Sequence, residues 1–192
     1  MTISVRRSGS ADIGAIMALM GRSRGDALSP AQRAEQGFVQ GSMNAEMLTR
    51  FQQGTGVFLA EEDIRLAGFA MTSRADTAPG GPPKLAADAA KRALGEQQRM
   101  FMYGPAAVAP EFQGRGVLTT LLTYLSRELR DRFDVGVAFV EDANQKSLAV
   151  HRHYGMTEVP GFRYQDRDYH VLVFPLELFT SSAKVRQPAT PN

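Results

Sequence analysis

The chain has 192 residues, 43% of them apolar and 22% charged, with a formal net charge of +2 and no cysteine. That is the length of one domain with enough apolar residues for a single buried core, and it excludes a disulfide framework, a thiolate nucleophile and a cysteine metal site. No apolar run approaches the roughly 20 residues that span a bilayer, and the basic residues form no long run of the kind that marks a nucleic-acid surface.

The N-terminal MTISVRRSGSAD lacks an apolar signal-peptide core, so the expected compartment is the cytoplasm. Ile3 to Arg6 alternates apolar and polar residues, as a strand does. Ser10 or Asp12 can cap a helix carrying Ile13, Ile16, Met17 and Met20 on one face. A loop follows from Gly21 to Pro30, and Pro30 opens a short helix that runs through Gln36. Another helix is predicted from about Asn44 to Gln53. Val57 to Ala60 and Leu66 to Thr72 flank the turn-like Glu62 to Arg65 and predict a hairpin. Ala78 to Pro83 reads as a loop. Lys84 to Arg99 is helical by alanine propensity, with a narrow apolar stripe at Leu85, Ala86, Ala89, Ala93 and Leu94, so a peripheral or interfacial helix is expected. Met100 to Val108 is the expected central strand. Gly104-Pro105 interrupts it, which argues for an edge or a bulge. Leu118, Leu121, Leu122, Leu125 and Leu129 mark a strongly amphipathic helix. A buried strand from Val135 to Val140 precedes a short helix from Asn144 to His153 that stops at Gly155. Met156 to Val159 and Asp168 to Phe174 are the last expected strands. The polar end of the chain, with two prolines, reads as a mobile tail. The expected organisation is one domain over 1–178, with an insertion at 74–99 and the tail over 179–192.

The most telling stretch is VAPEFQGRGVLTTLL, Val108 to Leu122. An apolar strand ends, Gln113, Gly114, Arg115 and Gly116 follow, and a helix begins with Val117 and Leu118. The first turn of a helix carries N–H groups without intrahelical partners and the positive end of the helix dipole. Glycines before that turn let an anion approach the backbone closely, and Arg115 adds a cation with several donors.

That spacing resembles the pyrophosphate loop of the GNAT superfamily of acyl-CoA-dependent N-acyltransferases, Gln/Arg-x-x-Gly-x-Gly/Ala between a strand and a helix. Gln113 fills the first position and Gly116 the fourth; Leu118 stands where Gly or Ala is usual. Asn144, Ser147, His151, Gly155 and Met156 carry a second similarity, to the family's Asn-x-x-Ala/Ser-x-x-x-Tyr/His-x-x-x-Gly-Phe helix. Histidine at position 151 occurs in the branch that resembles phosphinothricin and related amino-acid acetyltransferases. The first segment is similar too, since members often open with a strand ending in Arg and an Asp that starts the first helix; Arg6 and Asp12 can fill those places. The resemblance spans about residues 3 to 175.

It implies an α/β (α+β) GNAT fold: a mixed, mostly antiparallel central sheet flanked by helices, with splayed central strands forming a CoA slot. It implies acetyl-CoA as co-substrate and no metal. The cofactor-binding residues carried over are Ala106 and Val108 through their main chain, Gln113, Gly114, Arg115, Gly116, Val117 and Leu118 at the diphosphate, and Asn144 and Ser147 at the pantetheine arm. The general acid would be His151, whose side chain titrates near neutrality, or Tyr154 one helical turn on, or no side chain at all. The base is open: Tyr103 is the only titratable group on the Met100 to Val108 strand, and Glu111, Glu141 and Asp142, near the expected slot, are either bases acting through water or solvated loop charges. Without cysteine, attack is direct in a ternary complex. The expected acceptor is a small-molecule primary amine or an amino-acid-like compound, with the loops Gly21 to Ser29, Arg74 to Pro83 and Gly161 to Asp168 as candidate walls and Arg22, Arg24 and Arg163 as candidate carboxylate receivers. A homodimer is common in such proteins. The competing reading is a GNAT-like module that binds acyl-CoA without turnover.

Other motifs fail. His151 and His153 are two apart on a helix and point to different faces. No Gly-Lys-Ser/Thr loop or Gly-x-Gly-x-x-Gly turn occurs, and the Gly-x-Ser-x-Gly spacing at Gly21 to Gly25 follows an expected helix rather than a strand, so it forms no nucleophile elbow.

Overall fold

The computed structural model describes residues 2–180. One seven-stranded sheet runs in the order β1-β2-β3-β4-β5-β7-β6: β1 (Ile3–Arg7), β2 (Gly56–Glu62), β3 (Arg65–Arg74), β4 (Met100–Val108), β5 (Val135–Glu141), β6 (Thr157–Tyr164) and β7 (Arg167–Pro175). Every neighbouring pair is antiparallel except β4 and β5, which run parallel. The helices are α1 (Ile13–Arg22), α2 (Pro30–Gln36), α3 (Ala45–Gln53), α4 (Pro82–Leu94), α5 (Val117–Leu129), α6 (Gln145–His153) and α7 (Glu177–Thr180). This is the mixed, mostly antiparallel sheet flanked by helices that the resemblance implied.

Helices cover the first half of the sheet on both sides, and β2 and β3 accordingly bury successive residues, Val57 to Ala60 and Phe69 to Thr72. Helix α5 supplies the largest apolar stripe. Leu121, Leu122, Leu125 and Leu129 are fully buried, each contributing about 1.5–3 kcal/mol relative to exposure. Arg6 grips Asp12 bidentately at 2.7 and 2.8 Å and also reaches Glu61, tying the end of β1 to the start of the first helix as expected.

The second half of the sheet differs from expectation. The insertion does not stay peripheral: α4 begins at Pro82, inside the stretch read as loop, and ends at Leu94 rather than Arg99. Its buried Ala86, Ala87, Ala89 and Ala90 pack on Met100, Met102, Val137, Val171 and Val173. Alanines leave little side chain between helix and sheet, so the weak stripe signals close approach. The span from Gly161 to Asp168, read as a loop, is instead the end of β6, a turn at Gln165 and Asp166 with positive φ, and the start of β7. The expected strand stops at Val159, whereas β6 continues through Pro160 and Gly161, which lie at a register shift on an edge strand and do not interrupt the sheet. Phe179, assigned to the tail, is buried in α7 against Tyr154 and Phe174. The remainder of the expected tail, 181–192, lies outside the described residues.

Candidate functional site

β4 and β5 are zipped only at their beginnings, through Met100↔Val135, Phe101↔Gly136 and Met102↔Val137. Beyond that point β4 pairs with β3 alone and β5 with β7 alone, so the two central strands part. The interruption at Gly104-Pro105 is a bulge inside the sheet: Ala70 pairs with Ala106 but Thr72 with Tyr103, so β4 carries one residue more than β3 across this interval. Past the bulge, Ala109 N–H donates to the Ala67 carbonyl on β3. Amides alternate in direction along a strand. Those of Val108 and Ala106 therefore face away from β3, into the gap left by β5.

β4 leads directly to the glycine turn. Gly114 and Gly116 hold φ of +74° and +75°, and nothing lies within 4 Å of where a Cβ would stand on either. Gly116 is the N-cap of α5 and makes no side-chain cap. The first helical bond runs from Thr120 N–H to the Gly116 carbonyl at 3.0 Å, so the amides of Val117, Leu118 and Thr119 have no partner within the helix. Unblocked space, uncapped donors and the positive end of a 13-residue helix coincide at the mouth of the gap. These are the features an anion needs.

The Arg115 side chain does not join that set. Its guanidinium bonds the buried carboxylate of Glu62 and lies over the Phe112 ring at 5.0 Å. Glu62 is 53 positions away, and nothing local in the sequence announces it. Asn144 is also engaged. Its Oδ1 accepts from Ser147 N–H at 3.4 Å to cap α6, and its Nδ2 donates to the Phe38 carbonyl at 2.7 Å. The amide thus pins the segment after α2 to the start of α6.

His151 is 8% exposed. Its Nδ1 lies 2.7 Å from the Ser147 carbonyl, and since a carbonyl only accepts, Nδ1 carries the proton. Ser147 Oγ is a longer neighbour at 3.4 Å. Burial pushes the His151 pKa below its ordinary value, against the opposing pull of the Ser147 carbonyl. The ring is therefore neutral near pH 7, with Nε2 bearing a lone pair. Tyr103 stands beside it, ring centroids 5.9 Å apart. Its hydroxyl is buried without a hydrogen-bond partner. Burial, and secondarily nearby Tyr154, hold that phenol protonated. Tyr154 closes the C-terminal end of α6, with its hydroxyl 3.0 Å from Thr119 Oγ1 in the first turn of α5. A clasp between the two helices results.

The other candidates are largely ion-paired. Glu111 meets Arg65, Glu141 meets Arg167, and Asp142 meets His170. Arg24 pairs with Asp26, and Arg163 with Asp166 and Asp168. Arg22 makes no ion pair among the described residues. At the opposite end of β4, a charged depression is lined by Arg74, Lys84, Asp88, Lys91, Arg99 and Arg132, of which all but Arg132 are held in salt bridges among the described residues.

The same architecture recurs in solved structures. The yncA protein of Salmonella typhimurium, solved with its cofactor acetyl-CoA, is 17% identical with a TM-score of 0.61, over 100% of this chain and 99% of that one. An N-acetyltransferase from Staphylococcus aureus is 15% identical with a TM-score of 0.61, over 92% and 99%. The ribosomal-protein-alanine N-acetyltransferase of Brucella melitensis is 18% identical with a TM-score of 0.60, over 90% and 99%. No curated protein matches the chain in sequence. The acetyltransferase (GNAT) family model matches residues 31–156, a span that takes in the parted strands, the glycine turn and α6; the chain belongs to this family of acyltransferases.

Proposed function

We propose that the protein transfers an acetyl group from acetyl-CoA to a primary amine by direct attack in a ternary complex. One observation carries the reading: the gap between β4 and β5 opens beside an uncapped helix N-terminus whose glycines leave room for an anion. The residues fit acetyl-CoA. The amides of Gly114 to Thr119 suit a diphosphate. The slot-facing main chain of Ala106 and Val108 suits an arm that bonds β4 as an added strand would. Arg115 contributes its N–H while its side chain stays with Glu62. Asn144 and Ser147 set the position of α6.

Bound acetyl-CoA supplies an activated acyl carbon. In the transfer a C–N bond forms as the C–S bond breaks; the amine loses one proton and the departing thiolate takes one. A main-chain N–H freed at the bulge stabilises the charge that grows on the carbonyl oxygen. The neutral His151 takes the amine proton at Nε2, and the same nitrogen then gives a proton to the thiolate. That assignment joins the acid role implied by the resemblance to the tautomer held by the Ser147 carbonyl. Tyr154 braces the helices through Thr119. Arg22 is the guanidinium left to meet the carboxylate of an amino-acid-like acceptor.

The second reading, binding without turnover, draws on the lack of a carboxylate on β4 and the ion pairing of Glu111, Glu141 and Asp142. Calorimetry with acetyl-CoA and thiol release across an amine panel test both. Saturable binding with amine-dependent thiol release is expected, and His151→Gln should keep binding while slowing release by about 10²-fold or more. Binding with no release from any amine favours the module; no binding at high micromolar acetyl-CoA removes both.

A further inference from the structure

The gap between β4 and β5 is blind at its inner end. In the plane of the sheet the Met102↔Val137 pair closes it. On one face Met102 and Val137 are buried under the alanines of α4. On the other face Tyr103, the first β4 residue beyond the last β4–β5 pair, is 4% exposed. Its ring lies 5.9 Å from those of both His151 and Phe174. Phe174 has no room to retreat, because a Cβ on Gly136 would already overlap its ring and Phe179 stacks edge-on behind it at 5.4 Å. Outward from Tyr103, β4 presents only Gly104, Pro105, Ala106, Ala107 and Val108, all partly exposed. The wall is thus small along its length and large at its end.

The direction of the slot follows from the chain. The glycine turn lies after Val108 and Tyr103 lies before Gly104, so a thioester entering from the diphosphate end presents its acyl group to Tyr103. The geometry points to Tyr103 as the residue that limits acyl length, admitting an acetyl group and excluding longer chains. This rests on the acyl-CoA reading above. The ring does the excluding, by filling space beneath α6 that has no other outlet; interiors at native packing density do not make room for extra methylenes without displacing neighbours.

The test is calorimetric binding of CoA, acetyl-CoA, butyryl-CoA and hexanoyl-CoA to the full chain, with thiol release as a second readout. Wild type should bind hexanoyl-CoA at least tenfold more weakly than acetyl-CoA. Tyr103→Ala should shift that ratio at least tenfold toward hexanoyl-CoA, and Tyr103→Phe, which keeps the ring, should leave the ratio where it was. Equal affinity of wild type for the whole series overturns the proposal without any variant being needed, which covers a Tyr103→Ala protein that does not fold; circular dichroism identifies that case, and Tyr103→Leu then serves as the smaller residue. A folded variant with an unchanged ratio overturns it too. Failure of every thioester and of CoA itself to bind instead removes the acyl-CoA reading, and the length limit falls with it.

Discussion

Helices α5 and α6 both begin beside the gap between β4 and β5, yet their first turns are built in opposite ways. α6 is capped by Asn144, whose amide also holds the Phe38 carbonyl. α5 starts at a left-handed glycine with no side-chain cap. A third helix sharpens the contrast. α4 also starts at a glycine of positive φ without a side-chain cap, but Pro82 and Pro83 occupy its first positions, and proline has no N–H to offer. The dipole is common to all three; what differs is whether donors remain unspent. A helix N-terminus is a site for an anion only where the chain leaves its amides unsatisfied.

The largest effect should come from filling the turn of α5. Gly116→Glu places a carboxylate where the diphosphate would lie, and acetyl-CoA affinity should fall at least 100-fold by calorimetry. The substitution also forces a side chain into left-handed backbone, at about 1–2 kcal/mol. Gly116→Ala carries the same strain without the charge and separates the two causes. Undiminished affinity in the Glu variant would mean that anions bind elsewhere.

Asn144→Ala probes the other helix. Losing an N-cap costs about 0.5–2 kcal/mol, and the Phe38 tether goes with it. Chemical denaturation should show a loss of that size, while acetyl-CoA affinity changes by less than about threefold, because the amide is spent on protein partners. A tenfold loss of affinity with unchanged stability would reverse the contrast and return Asn144 to direct contact with the pantetheine arm.

The contrast between the helices was only half legible in the sequence. Gly114 and Gly116 before a leucine-periodic helix are local signals, and so are Pro30 at the start of its helix and the turn that frames the hairpin; each names its own conformation through backbone sterics or periodicity. The parting of β4 from β5 came from the family resemblance, with Gly104-Pro105 as its local trace. The pairs that decide which side chains are free are long-range. Arg115 meets Glu62 across 53 positions, and Asn144 meets Phe38 across 106. Neither spacing follows a helix or strand period, so a lone sequence carries no sign of them. β6 was misjudged for a related reason. Pro160 and Gly161 are breakers in isolation, but they sit within the bulge of an edge strand, where proline's missing donor is tolerated and a Cβ on Gly161 would stand 2.2 Å from the Tyr169 carbonyl oxygen.

The smallest expected effect concerns the far end of α6, which is pinned as firmly as its start. Arg152 donates to Glu158 at 2.8 Å, and Glu158 shares His170 with Asp142, whose Oδ1 lies 3.0 Å from Nε2. Glu158 first, then Asp142, raises the His170 pKa above the ordinary 6.5. A group whose pKa is raised by folding contributes stability that is complete below its unfolded value and disappears as pH climbs through the raised one. Denaturation midpoints of wild type should therefore fall between about pH 6.5 and the end of that titration, by less than about 1 kcal/mol, since the carboxylates are partly exposed. His151 acts in the other direction and in another window. Burial lowers its pKa, so its contribution is lost as pH drops below 6.5, where the unfolded chain takes up a proton that the folded one resists. The difference between wild type and His170→Gln isolates the upper window. It should shrink as pH rises, and a difference that stays constant or grows would show that the carboxylates do not hold a charged imidazole there, leaving Arg152 and the Tyr154–Thr119 bond to fasten the end of α6.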